Sequence, residues 1–490
     1  MSRFPILVVG ILVLLPPRAD GIVIGGKAFA ESYILAEVAA RLLEHHGHTV
    51  ERRQGLNGTK IAFEGLRTRA IDVYPEYTGT ISEVILQKPD LRDLESIIEA
   101  LAELNLELLP PLGFDNSYAL AVTRRLAETL DVTRISDLRS HPELRVALPH
   151  EFLSRSDGWN GLKETYGLSQ AARGIEHSLA YQAIESAQVD VIAVYTTDGE
   201  IIRSDLVVLD DDFGYFPTYL AAFLTHKELP REVRDLLARL SGRIDNDRMR
   251  QMNLAVLDSS VRIEDVAAAF LDEEDLVSAG HGASPIVAGL WRNTQRHLKL
   301  TALALLAAIG IGVGIAMAVH RQRTLSNAFL YFAGLMQTVP SIALLALMIP
   351  LVGVGQKPAV IALFLYSLLP IARSTIAAML AIPPGYRQVA AAMAMTRTQE
   401  LRYVFLPLAM PHVLAGIRTA AVICIGTATL AAFIGAGGLG DPIVTGLALN
   451  DTGLILQGAI PAAILAIGTE LLFGMIERIL VVPHMRSGRL

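Results

Sequence analysis

The 490-residue chain has a single cysteine, Cys424, which excludes an intramolecular disulfide. That leaves the compartment open, because a large domain can be stable without a bridge. Charge is also scarce: charged residues make up 19% of the chain against 52% hydrophobic ones, too few for an ordinary soluble protein of this length. The scarcity is uneven. From Trp291 to the end there are 14 Lys+Arg against 5 Asp+Glu, whereas residues 1–290 hold 28 against 44. An acidic, soluble-looking part therefore precedes a basic, very apolar one. The basic part is not a nucleic-acid surface, because its arginines sit between long apolar runs.

Two glycine-rich motifs lack what a nucleotide site needs. Gly21-Ile-Val-Ile-Gly-Gly26-Lys27-Ala28 nearly matches a phosphate-binding loop, but no Ser or Thr follows the lysine to hold Mg²⁺, and its middle residues read as a strand. Gly435-Ala-Gly437-Gly-Leu-Gly440 follows an apolar span, and no βαβ helix comes after it, so it is not a dinucleotide fingerprint. An ATPase is thus not expected in this chain. His45-His46-Gly47-His48 lacks converging partners for a metal and reads as a solvated helix end.

Residues 1–19 carry Arg3 and then an apolar run of about a dozen residues, short for a span and suited to a signal peptide or N-terminal anchor. Residues 20–280 alternate short β-branched or apolar runs with helical ones: Ile22–Ile24, Tyr33–Leu43, Ile71–Tyr74, Leu120–Val122, Arg145–Leu148, Val189–Val194, Leu206–Leu209 and Ala221–Leu224. This predicts parallel sheets flanked by helices, closed by amphipathic helices at Arg231–Leu240 and Val261–Leu271. Residues 281–296 read as a linker rich in small residues, and 297–490 as a membrane domain.

Five stretches there, 298–319, 328–352, 358–380, 413–435 and 454–476, are long enough to span a bilayer. With the acidic domain outside, the inner segments collect Arg321, Arg323, Arg387, Arg397, Arg402, Arg478, Arg486 and Arg489. The outer loops hold Lys357, Asp441 and Asp451, and Arg292, Arg296 and Lys299 run against the pattern.

Gly25-Gly-Lys27-Ala-Phe29-Ala-Glu31-Ser-Tyr33, Gly55-Leu-Asn-Gly58-Thr59, Ile71-Asp-Val-Tyr-Pro-Glu-Tyr77-Thr-Gly-Thr80 and Phe114-Asp-Asn-Ser-Tyr118 resemble motifs of the glycine betaine/choline/carnitine solute-binding family, which includes ergothioneine binders. Glu151-Phe-Leu-Ser-Arg155, Val189–Gly199 and Phe216-Pro-Thr-Tyr219 continue the resemblance across about residues 22–275. It implies a two-lobed α/β periplasmic-binding-protein fold with a ligand cleft. The chemistry agrees: a quaternary ammonium has no hydrogen to donate, so aromatic faces must hold it. Tyr77, Tyr118, Tyr195 and Tyr219 lie at strand ends or turns, where open α/β sheets place cleft residues. Lys27, Thr80 and Arg155 supply the cations and donors that a ligand carboxylate needs. Ala28, Ala30 and Ser32 stand where the family usually has Asn, Thr and Gln, which leaves the exact solute open.

Gln337–Ala346, Leu368–Thr375, Gly416–Ala420 and Gly426–Gly440 resemble the binding-protein-dependent permease family, which implies an all-α transmembrane bundle of about five helices. Arg387-Gln388-Val-Ala390-Ala-Ala-Met-Ala394-Met-Thr396, continuing to Pro407, resembles that family's cytoplasmic loop, whose short helix docks in a separate ATPase subunit. Gln388, Val389 and Ala394 replace the usual Glu, Ala and Gly. Ala394 matters most, because glycine there would permit a turn with positive φ. The resemblance implies a multi-pass homodimer in the inner membrane, working with two ATPase copies. A membrane enzyme fits less well, since the sequence has no nucleophile–base or metal-ligand constellation, and a tethered sensor would be expected to continue into a signalling domain, whereas about 14 residues follow Ile476.

Overall fold

A computed structural model of the chain describes residues 21–149, 152–153, 158–175, 177–258, 261–277, 286–449 and 451–480. The segment at 1–19 expected to be a signal or anchor lies outside the described residues, as does Arg155. The chain divides into two compact units, the first carrying the sheets and the second the long apolar helices.

The first unit is built on two five-stranded sheets. One has the order β2-β1-β3-β10-β4, with β1 Ile22–Lys27, β2 Val50–Leu56, β3 Val73–Tyr77, β4 Leu106–Leu108 and β10 Ala221–His226. The other runs β7-β6-β8-β5-β9, with β5 Tyr118–Thr123, β6 Val146–Pro149, β7 Ala172–Ile175, β8 Val191–Tyr195 and β9 Leu206–Val208. The purely parallel expectation is corrected here. β1 and β3 are parallel, as are β6 with β7 and with β8, but β10 runs antiparallel to β3 and β4, and β5 antiparallel to β8 and β9. The reason is connectivity. The chain enters the second sheet after β4 and returns to the first after β9, so each returning strand meets its sheet from the opposite direction. The two crossing segments hydrogen-bond to each other: Leu112 N–H donates to Ala221 C=O at 2.8 Å, and Asn116 N–H to Tyr219 C=O at 3.1 Å.

Apolar side chains of the second sheet, Leu120, Val122, Val146, Leu148, Val191 and Ala193, pack against Phe152, Trp159, Leu162 and Tyr166. Beneath the first sheet lies α1 (Ala30–His45), buried along nearly its whole length. α2 (Arg231–Ala238), α3 (Asn246–Val256) and α4 (Ile263–Glu273) close the unit. Asp245 caps α3 by accepting from Arg248 N–H at 2.7 Å.

In the second unit the apolar windows are helices. Gly289–Val319, Gln356–Ala381, Arg397–Ile434 and Thr452–Ile479 are each long and apolar enough to cross a membrane. The span expected at 328–352 is two helices, Arg323–Thr338 and Ser341–Val352, bent by 101°. Pro340 explains the break, since it forces Val339 out of the α region into an extended conformation (φ −65°, ψ 128°). Arg373 and Arg418 lie inside apolar helices, and Arg418 forms an ion pair with Glu470.

Candidate functional site

The predicted side chains of the first unit fall into two groups, one on each sheet. Lys27 ends β1 and is buried; its Nζ lies 2.5 Å from Glu76 Oε1 on β3, 5.0 Å from the Tyr77 ring centre and 5.6 Å from that of Phe29. The protein's own ammonium thus already faces one carboxylate and two aromatic rings. Tyr77 ends β3 and donates its hydroxyl to Glu31 Oε1 at 2.6 Å. Thr80 follows in the helical turn Thr78–Thr80 and is partly exposed. Tyr219 lies beside that turn. A Cβ on Gly79 would come within 2.6 Å of the Tyr219 ring, so only glycine lets the ring rest on this backbone.

On the other sheet Tyr118 and Tyr195 face each other across the β5–β8 register. Their hydroxyls are 3.1 Å apart and their ring centres 4.8 Å. Phe152 lies 4.9 Å from the Tyr118 ring and His177 4.9 Å from that of Tyr195. Asp198 orients this edge: its Oδ2 accepts from Tyr195 N–H at 2.8 Å and from the Tyr181 hydroxyl at 2.5 Å, and it lies 3.1 Å from His177 Nε2. A depression of about 400 Å³ opens beside the pair, lined by Tyr118, Ser117, Asp115, Thr196 and Phe216 among others. Of the predicted tyrosines, Tyr118 is the one that lines it.

Sequence reasoning missed Glu31. Its carboxylate is buried and accepts from Tyr77 Oη, from Asn116 Nδ2 at 2.9 Å and from Asn253 Nδ2 at 3.0 Å. Burial pushes its pKa up, against the hydrogen bonds that pull it down. Asn253, on α3, also donates to Thr197 C=O at 2.8 Å, just beyond β8. One carboxylate therefore ties the first sheet to a crossing segment and to the edge of the second sheet. The signal was present as the acidic residue at the start of α1, but only tertiary structure supplies its partners.

In the second unit α5 (Pro384–Ala392) contains Arg387, Gln388 and Ala390. Ala390 is buried, and the Arg387 guanidinium stacks 5.2 Å from the Phe405 ring centre. Gln388 is exposed, as are the apolar side chains of Tyr386, Val389, Met393 and Tyr403. Ala394 adopts φ 54°. Its N–H donates to Ala391 C=O at 3.0 Å and that of Met395 to Ala390 C=O at 3.1 Å, the paired bonds that end a helix in a left-handed residue. The turn that glycine would favour is thus made by alanine. Thr396 then caps the next helical turn in a reciprocal box with Gln399, and Pro407 sits in the first turn of α6 (Leu406–Ala428). Ala394→Gly is expected to raise stability by about 1 kcal/mol by relieving the left-handed strain, read as an upward shift of melting temperature in detergent.

Comparison with known proteins agrees with this division. Residues 20–273 match the substrate-binding domain of ABC-type glycine betaine transport systems, and residues 310–482 the inner-membrane component of binding-protein-dependent transport systems. A choline transport system permease protein of Bacillus subtilis is 43% identical over 195 residues, 39% of this chain and 86% of that protein. An osmoprotectant import permease protein of Salmonella typhimurium is 43% identical over 198 residues, covering 39% and 92%. An ergothioneine transport permease/binding protein of Helicobacter pylori is 31% identical over 283 residues, covering 54% of this chain and half of that one.

Proposed function

This chain belongs to the substrate-binding family of ABC-type glycine betaine transport systems and, in its membrane part, to the inner-membrane components of binding-protein-dependent transport, and from that premise we propose that it captures a small quaternary ammonium solute outside the inner membrane and passes it through its own spans. Glycine betaine, choline, carnitine and ergothioneine are the candidate solutes. A separate cytoplasmic ATPase drives the transfer, and two copies of the chain form the pathway in the lipid bilayer.

The observation that carries the solute class is the Tyr118–Tyr195 pair with its flanking rings at the strand ends of the second sheet. Aromatic faces hold a cation that cannot donate hydrogen bonds. Tyr77 and Tyr219 supply the facing wall from the first sheet. Glu76 neutralises Lys27, so Thr80 and Arg155 take the larger share in holding a ligand carboxylate. The arginine bias of the loops supports a topology with the acidic unit outside and α5 with its following turn in the cytoplasm. There the exposed Tyr386, Val389 and Met393 form an apolar knob for the ATPase.

The test is uptake into vesicles holding the full chain and its ATPase. ATP-dependent accumulation of radiolabelled glycine betaine or choline is expected. Accumulation of neither, in vesicles whose ATPase turns over, contradicts the reading.

A further inference from the structure

Glu31 is a buried charge to which solute capture assigns no role. It lies in the first turn of α1 and is met by donors from three other parts of the chain. Tyr77 Oη reaches it from the end of β3 at 2.6 Å, Asn116 Nδ2 from the first crossing segment at 2.9 Å, and Asn253 Nδ2 from α3 at 3.0 Å. Donors, not acceptors, are what an ionised carboxylate needs. Burial raises its pKa, and hydrogen bonds from Tyr77, Thr197, Asn253 and Asn116 act against that rise.

The charge orients both amides. Asn116 Oδ1 and Asn253 Oδ1 are buried and have no hydrogen-bond partner among the described residues. A bare buried acceptor is costly, so turning both amide nitrogens towards Glu31 must outweigh that cost. Asn253 Nδ2 also donates to Thr197 C=O at 2.8 Å, two residues beyond Tyr195. One turn earlier on α3, Arg250 Nε donates to Thr196 C=O at 2.6 Å. At the start of α3, Asn246 Nδ2 donates to Asp115 C=O at 2.8 Å on the first crossing segment. The helix rests on the turn after β8 backbone to backbone, since a Cβ on Gly199 would come within 2.4 Å of Leu254 N. Tyr77 on the first sheet and the turn after Tyr195 on the second are thus joined through one carboxylate and one amide.

We propose that Glu31 and Asn253 are positioning residues for the solute, a buried latch that holds the Tyr77 and Tyr195 walls at the separation capture requires. The proposal rests on the capture of a quaternary ammonium solute argued above. The pair acts through the walls and not by touching the solute. A wall already in place loses less freedom when the solute binds. Loss of the latch therefore weakens every solute by the same factor, whereas loss of a contact ring weakens cations more than an uncharged isostere.

The test is isothermal titration of the full chain in detergent with choline, glycine betaine and 3,3-dimethylbutanol, beside melting curves. Asn253→Ala, which changes no charge, is expected to lower affinity for all three at least about fivefold and to leave the choline-to-isostere ratio within about twofold of the parent's. Glu31→Gln, of the same shape, is expected to weaken choline and glycine betaine at least as much. Either variant suffices if its melting curve shows a folded chain. A second readout is the distance between spin labels on Lys60→Cys and Glu128→Cys. Both positions are exposed, on helices Thr59–Arg67 and Arg124–Leu130 that pack on the first and the second sheet, and the native Cys424 is buried. The ligand-free distance distribution should be wider in Asn253→Ala than in the parent. Parental affinity in the folded variants overturns the proposal even where the melting temperature falls, because that is the result of a purely structural pair. A loss confined to one solute, or an unchanged distance distribution, overturns it as well. A parent chain that binds none of the three solutes overturns the capture reading itself.

Discussion

Deleting the four residues 392–395 is expected to abolish ATP-driven uptake and ATPase association while leaving the chain's solute affinity unchanged. The deletion removes Met393, among the most exposed apolar side chains of the loop, and the left-handed Ala394 that ends α5. Clustered exposed apolar side chains at a loop mark a protein interface, and the central anchors of such interfaces carry most of the binding energy. Loss of the Met393 anchor at about 2 kcal/mol weakens docking on the order of thirtyfold, and loss of the turn beside it misplaces the rest of the loop. Ala390 is buried, which anchors the helix, so the deletion takes Met393 and the closing turn from the knob rather than the helix itself. The measurement is uptake beside co-purification of the ATPase. Uptake at parental rate in the deletion shows that the ATPase docks elsewhere.

The second large effect concerns the aromatic pair. Tyr195→Ala removes one face of a cluster in which four rings, Phe152, Tyr118, Tyr195 and His177, follow each other at ring-centre distances of 4.8–4.9 Å. A desolvated cation–π contact is worth about 2 kcal/mol, so affinity for a quaternary ammonium should fall at least roughly tenfold. Tyr195→Phe keeps the ring and loses the hydroxyl contact with Tyr118, a net of about 1 kcal/mol that acts on stability more than on affinity. Tyr219→Ala acts on the facing wall and on packing together. Its ring is buried on Gly79, so truncation opens a cavity, costs about 3–5 kcal/mol of stability and lowers the melting temperature of the ligand-free chain. Titration and melting curves of the three variants separate ring contact from packing. Unchanged affinity in Tyr195→Ala for every quaternary ammonium solute removes this pair from the site.

The division into an acidic α/β part and a basic helical part was legible in charge counts and apolar runs, because burial in a bilayer leaves a strong compositional trace. Strands with one dominant apolar run, such as β5 and β8, were read within a few residues. β2 (Val50–Leu56) and β7 (Ala172–Ile175) were not, since Glu51, Arg52, Arg53 and Arg173 break the apolar pattern at partly exposed edge positions. Strand direction was illegible, because alternation fixes the order of elements and not which sheet a returning strand joins. Lys27 was visible as a cation in a motif, but its pairing with Glu76, 49 residues on, was not. Ala394 went the other way: the missing glycine was visible, and its left-handed turn survives because Ala390 and Ala391 accept the closing hydrogen bonds.

The central claim is that this chain captures a quaternary ammonium solute. Isothermal titration of the full chain in detergent with glycine betaine, choline, carnitine, proline betaine and ergothioneine, beside the uncharged isostere of choline, 3,3-dimethylbutanol, tests it most directly. Saturable binding of at least one quaternary ammonium compound, weakened at least about tenfold in the isostere and in Tyr195→Ala, is the predicted result. Equal affinity for choline and its uncharged isostere, or heat from none of the panel with a correctly folded chain, contradicts it.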